Sequence, residues 1–151
     1  MLFRSLLVDM DSQGNATMGL GVDKHSLPQS VYDVLIGSVT VAKAVHRPAD
    51  LAEAGCGYAV LGANRELAGA EVELVQLEQR EKRLKNALVA VREDYDFILI
   101  DCPPALSLLT LNGLCAAQGV IVPMQCEYFA LEGLADLTNT IKLIEDRKSV
   151  V

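Results

Sequence analysis

The segment Tyr95-Asp96-Phe97-Ile98-Leu99-Ile100-Asp101-Cys102-Pro103-Pro104 runs from large apolar residues into a carboxylate and then into two prolines. An unbroken apolar run of this length reads as a strand buried on both faces, as in a parallel sheet. Neither proline can extend it, because each lacks an N–H and fixes φ. The pattern therefore leaves Asp101 at the carboxyl end of a strand, where open α/β sheets bind their ligands. Leu6-Leu7-Val8-Asp9-Met10-Asp11 repeats the arrangement. Parallel strands bring their carboxyl ends to one edge, so the two runs predict a shared acidic site.

The rest of the chain alternates between strand and helix patterns. Residues 5–9, 58–61 and 96–100 read as strands, and Gly119-Val120-Ile121-Val122-Pro123 as a further buried strand stopped by proline. Gln13-Gly14-Asn15 is turn chemistry. Residues 30–36 and 40–46 predict two short helices, the first capped by Ser30. Residues 106–117 and 130–146 predict two more. Across residues 65–93, Leu67, Ala70, Leu74, Leu77, Leu84, Leu88 and Val91 fall at helical spacings, interrupted by Glu81. A coiled coil would need more heptads and an apolar residue in place of Glu81, so two consecutive helices packed on a sheet are expected. Strand–helix alternation with continuous apolar strands implies a parallel sheet covered on both faces.

The chain has 151 residues, of which 51% are hydrophobic, enough for one compact domain over residues 1–151. Its net charge of −7 argues against a broad nucleic-acid footprint on this polypeptide. Lys82, Arg83 and Lys85 form the densest basic patch, but acidic residues surround it, and Glu78–Lys82 and Glu81–Lys85 read as solvated i,i+4 pairs. No apolar run is long enough to span a membrane, and the start flows directly into a strand rather than a signal peptide. Cys56, Cys102, Cys115 and Cys126 include no C-x-x-C pair and do not suit a zinc site. Cys102 and Cys115 lie in apolar segments and read as buried thiols, which fits a reducing cytoplasm.

A strand-terminal carboxylate is also how phosphate-transfer proteins present an acid to Mg²⁺, the Walker B arrangement. A single Asp in Asp9's place would read as a turn cap; two such sites in one parallel sheet favour chemistry. Asp-x-Asp after a strand also occurs in haloacid-dehalogenase-type phosphatases, but Ser12-Gln13-Gly14 differs from the residues those enzymes carry after the second Asp. No Gly-rich loop ending in Gly-Lys-Ser/Thr, which would cradle phosphates, occurs in the sequence.

Residues 6–17, Leu6-Leu7-Val8-Asp9-Met10-Asp11-Ser12-Gln13-Gly14-Asn15-Ala16-Thr17, closely resemble a block of the ParA/Soj-type chromosome- and plasmid-partitioning ATPases, with Ser12 where the family usually has Pro. The Tyr95 to Pro104 run resembles their Walker B block. Leu67-Ala68-Gly69-Ala70-Glu71 and the stretch from Pro123 through Cys126-Glu127-Tyr128 to Leu134 resemble two more, so the likeness covers roughly residues 5–146. The last five residues do not resemble the family's continuation. The resemblance implies a three-layer P-loop-NTPase-like α/β fold with helices on both faces of a parallel sheet. It implies ATP and Mg²⁺ as cofactors of the complete family protein, face-to-face dimers when ATP is bound, non-specific DNA binding and stimulation by a ParB-type partner. It also implies a cytoplasmic, nucleoid-associated protein that does not engage membranes.

Carried over residue by residue, the resemblance makes Asp101 a holder of Mg²⁺ through water, Asp11 the carboxylate that orients or activates the attacking water, and Asp9 a support of the Mg²⁺ shell. Against the family pattern, the P-loop strand, its loop and helix, and the C-terminal part are missing. The expectation is a middle segment truncated at both ends, with no nucleotide-binding loop of its own, binding neither Mg²⁺ nor ATP and inactive alone. The alternative expectation is a catalytically inactive short interaction module that pairs with a complete homologue.

Overall fold

The computed structural model describes residues 3–48, 57–123, 138–139 and 141–142. It divides into two compact units, Met1–Ala116 and Ala117–Val151. In the first, strand β1 (Ser5–Asp9) is followed by α1 (Asn15–Gly19), α2 (Val31–Ile36), α3 (Val41–Ala44), β2 (Val45–His46) and β3 (Tyr58–Leu61). Helices α4 (Leu67–Leu74) and α5 (Arg83–Leu88), a 3₁₀ turn (Val89–Asp94), β4 (Phe97–Asp101) and α6 (Leu108–Ala116) complete it.

The sheet has four strands in the order β2-β3-β1-β4. β1 pairs in parallel with β3, from Ser5↔Tyr58 to Val8↔Leu61, and with β4, from Ser5↔Phe97 to Asp9↔Asp101. β2 is a two-residue antiparallel addition, with Val45 opposite Leu61. The sheet is therefore mixed at its short outer strand and parallel where the two acidic runs lie. The predicted helix over residues 40–46 stops at Ala44, and its last two positions join the sheet instead. Val45 is β-branched and fits a pleated surface better than a helix.

Register assigns the strand residues to two faces. Leu6, Val8, Ala59, Leu61, Ile98 and Ile100 share the face that meets the helices, with Val31, Leu35, Leu67, Leu74, Leu84 and Leu109 in the same core. Each fully buried leucine there contributes about 1.5–3 kcal/mol. Asn112, buried on α6, ties two core helices together: its Oδ1 accepts from Leu84 N at 3.1 Å, and its Nδ2 donates to Arg80 O at 2.8 Å. On the opposite face Val60 is buried, but Phe97 and Leu99 are 53% and 52% exposed. The expected covering of both faces is thus only partial at β4, because the core helices of this unit gather on one side.

The capping expectation for residues 30–36 holds. Ser30 Oγ accepts from Tyr32 N at 3.2 Å, while Asp33 Oδ2 accepts from Ser30 N at 2.8 Å, a reciprocal capping box. The long helical pattern resolves into two helices, α4 and α5, as expected. They are separated near Gln79, whose φ of 51° is left-handed and cannot continue a helix.

In the second unit, the predicted buried strand at residues 119–123 is not a strand. Val120, Ile121 and Val122 are all exposed, Ile121 at 87%. An apolar run supplies the side chains of a strand but not its partner, and backbone pairing is what makes it one. Most of the predicted helix over residues 130–146 lies outside the described residues; residues 138–139 and 141–142 are helical.

Candidate functional site

Three carboxylates meet at the carboxyl-terminal edge of the sheet. Asp9 ends β1 and Asp101 ends β4, and the register sets them side by side. The chain leaving β1 bonds across to β4, with Met10 N donating to Asp101 O at 2.8 Å. Asp11 comes next in the loop. The shared acidic site expected from the two apolar runs is therefore formed.

The three carboxylates differ in their surroundings. Asp9 is fully buried. Its Oδ1 accepts from Asp11 N at 3.0 Å, and its Oδ2 accepts from Thr17 N at 2.8 Å and from Thr17 Oγ1 at 2.7 Å. A buried carboxylate is tolerated only when so satisfied. Asp11 is half-buried and its Oδ1 accepts from Gln13 N at 3.0 Å, an Asx turn. Asp101 is exposed. Its carboxyl is held above the ordinary value, first by partial burial and then by the negative charges of Asp9 and Asp11. The next residue, Cys102, is half-buried rather than buried, and its thiol is pushed up to about 11 by burial first and by Asp101 second. That thiol is inert at neutral pH.

The loop between β1 and α1 is fixed from two sides. Gly14 has φ +61° and lies so close to the end of β3 that a Cβ there would be 2.6 Å from Ala63 O. Thr17 Oγ1 accepts from Ala63 N at 2.9 Å while donating to Asp9. Lys24 Nζ donates to Gln13 O, so its charge is anchored beside the acidic loop. Thr17 and Ala63 are both fully buried. One hydroxyl thus links the end of β1 to the end of β3. The sequence pattern singled out Asp9, Asp11 and Asp101 but not Lys24 or the Thr17–Ala63 contact, since spacing carries no signal for partners 11 and 46 residues apart.

What this edge can do is gather negative charge around a cation. The Asp101 carboxyl is raised first by partial burial and then by the charges of Asp9 and Asp11, and a divalent ion would relieve the second of these. Mg²⁺ is held by one or two carboxylates and several waters rather than by a full protein cage, which suits an exposed Asp101 beside a half-buried Asp11. Both oxygens of Asp9 are already taken by loop donors, so Asp9 fits the ion less well than its neighbours.

Strands delivering carboxylates to one edge of a parallel sheet place the candidate site of this α/β domain where open α/β sheets bind their ligands. A family model described as "AAA domain" matches residues 2–150. The sporulation initiation inhibitor protein Soj of Bacillus subtilis is 51% identical over 142 residues, covering 94% of this chain and 54% of that protein. The chromosome partitioning protein ParA of Myxococcus xanthus is 48% identical over 142 residues, covering 94% and 48% respectively. Among solved structures, the chain is similar to a cobyrinic acid a,c-diamide synthase from Mycobacterium smegmatis with bound ATP analogue and magnesium. That match has a TM-score of 0.87 and 45% identity, and covers 95% of this chain and 57% of the other. The chain belongs to the ParA/Soj-type partitioning ATPase family, with the P-loop-type α/β fold. It spans about half the length of the curated relatives it matches.

Proposed function

We propose that this chain is the middle segment of a Mg²⁺-dependent, ATP-hydrolysing DNA-partitioning protein and is inactive by itself. The observation that carries the reading is the pairing of Asp9 with Asp101 at one sheet edge, with Asp11 in the loop beside them. In the complete protein Asp101 holds Mg²⁺ through water, and Asp11 orients the attacking water. Asp9 supports the metal shell from behind, through its bond to the Asp11 backbone. The metal supplies neutralising charge to the phosphates, and positioned charge is the main device of phosphoryl transfer. The family likeness extends the proposal to non-specific DNA, a ParB-type partner and an ATP-bound homodimer on the nucleoid. Among the described residues no helix is long and apolar enough to cross a membrane.

The carboxylates alone repel a triphosphate, so the 151-residue chain should bind Mg²⁺-ATP negligibly. Sub-millimolar affinity by isothermal titration would overturn that. The roles are tested in a chain completed with the remaining parts of the Soj relative. Asp11→Ala should leave nucleotide affinity largely intact and cut single-turnover hydrolysis by orders of magnitude, because a water-orienting group acts as the transition state forms. Asp101→Ala should weaken Mg²⁺-dependent binding as well. Hydrolysis at the unmutated rate in Asp11→Ala would return that residue to a turn cap.

A second reading, a catalytically inactive short module that pairs with a complete homologue, is favoured by one observation: β4 has no strand beyond it among the described residues, and Phe97 and Leu99 are exposed beside it.

A further inference from the structure

We propose that Lys24 is a positioning residue for Asp11, clasping the turn that carries the water-orienting carboxylate. The role rests on the catalytic reading of Asp11; the clasp itself stands on geometry.

Asp11-Ser12-Gln13-Gly14 forms a tight turn. Gly14 N donates to Asp11 O at 2.9 Å, and Asp11 Oδ1 accepts from Gln13 N at 3.0 Å. The peptide unit between Gln13 and Gly14 is bonded at both ends: its N–H goes to the Asp11 carbonyl, and its C=O accepts from Lys24 Nζ. A bond from an ammonium is roughly twice as strong as a neutral one. It also polarises the peptide, so the N–H at the far end donates more strongly. Among the described residues Lys24 forms no ion pair, so the ammonium acts on Asp11 through this one peptide unit.

The lysine stem closes the same turn. Lys24 is half-buried, and a Cβ on Gly14 would lie 2.9 Å from Lys24 Cδ as well as 2.6 Å from Ala63 O. Gly14 thus packs against the end of β3 and against the lysine methylenes, whose charged head reaches past them. Lys24 is held in turn. Its backbone N–H donates to Met18 Sδ at 3.4 Å, and Val22 N donates to Thr17 O at 3.2 Å. Thr17 is the residue that binds Asp9 through both its N–H and its hydroxyl. Asp9 therefore fixes the entry to the turn, at Asp11 N, and Lys24 fixes the exit. A reacting group must be held within about 0.5 Å of its productive place. One Asx bond in a half-buried turn does not achieve that alone, and the clasp supplies the second restraint.

Lys24→Met keeps an apolar stem and removes the donor. Amide exchange is measured in the 151-residue chain and in a chain completed with the remaining parts of the Soj relative. In both, Gly14 should exchange about tenfold faster, while the Thr17 amide, held by buried Asp9, keeps its protection. Lys24→Arg, which restores a cationic donor, should bring Gly14 back to within about threefold of the parent. Lys43→Met, which removes an exposed cation from α3, should change neither amide. In the completed chain Lys24→Met should lower kcat about tenfold at nearly constant nucleotide affinity. In an Asp11→Ala background the same substitution should add no further loss, because it acts through Asp11. A merely structural lysine would slow both backgrounds alike. Unchanged Gly14 exchange in Lys24→Met, equal loss at Thr17, no recovery with arginine, or the same added loss with and without Asp11 overturns the proposal. So does full turnover in Lys24→Met where Asp11→Ala is impaired. Full turnover in Asp11→Ala removes the catalytic reading instead, and the proposal with it, even where Gly14 exchange reveals the clasp.

Discussion

Replacing Thr17 by valine tests whether one hydroxyl fixes the acidic loop. The swap preserves shape but not hydrogen bonding, so it is not a neutral change in a buried site. Thr17 Oγ1 donates to Asp9 Oδ2 at 2.7 Å and accepts from Ala63 N at 2.9 Å. Both partners are fully buried, so water cannot replace the lost hydroxyl without opening the loop. Losing a bond to a charged group costs about 1.5–3 kcal/mol, and a buried N–H left without an acceptor about 1–3 kcal/mol. Asp9 keeps two backbone donors, Asp11 N and Thr17 N, which limits the first cost to its lower end. The expected destabilisation is about 3 kcal/mol.

For a unit of this size, that is a fall in melting temperature on the order of 10 °C. The comparison variant is Thr17→Ser, which keeps the hydroxyl and loses one buried methyl group, about 1 kcal/mol. Urea unfolding followed by circular dichroism measures both. Equal m-values would place the difference in stability rather than in compactness. If valine and serine at this position unfold at the same urea concentration, the hydroxyl bridge carries no weight and the loop is held by packing alone.

Two further predictions concern the same edge. Gly14→Ala should cost more than about 2 kcal/mol by the same measurement, because alanine pays about 1–2 kcal/mol in the left-handed region and its Cβ would press on Ala63 O; Gly21→Ala, at φ +79° with open space around it, should pay only the conformational part. Asp101→Asn should raise the melting temperature slightly at neutral pH, by about 0.5 kcal/mol or less after solvent screening. The folded state holds the Asp101 proton more tightly than the unfolded chain, so the charge penalty is present above the folded pKa and fades as pH falls toward 3.8; below that, mutant and parent should melt together.

The parts of this fold that were legible in sequence are those where one residue's chemistry decides. Asp9 and Asp101 end their strands as the apolar runs predict, because the stop in hydrophobicity acts locally. Ser30 and Asp33 are three apart, and a capping box needs nothing further. Features that depend on a distant partner were not legible. Val45 and His46 join the sheet because β3 lies beside them. Val120, Ile121 and Val122 have the composition of a buried strand and are exposed instead. Lys24 reaches Gln13 O, and Thr17 reaches Ala63, only after the chain has folded back. The likeness to a family supplied roles for Asp9, Asp11 and Asp101, but not the contacts that distinguish them.

Those contacts divide the labour among three carboxylates that look alike in sequence. Asp9 has no exposed surface and no unbonded oxygen, so charge at that position is spent inside the loop, on Asp11 N and Thr17. Asp101 has exposure and crowding, the conditions under which a cation gains most from binding. Asp11 lies between these extremes: its backbone N–H is fixed by Asp9, and its own Oδ1 fixes Gln13 N. A displacement at Asp9 therefore reaches Asp11 through one backbone bond and β3 through one hydroxyl. Asp9→Asn, which replaces an acceptor oxygen by a donor facing N–H groups, should accordingly disturb the position of Asp11 while leaving the Asp101 carboxylate in place. The amide exchange rates separate the two: Thr17 and Ala63 should lose protection in that variant, and the β1–β4 ladder should keep it. Unchanged protection at Thr17 and Ala63 would mean that Asp9 does not hold the loop, and would restore it as a direct partner of the metal.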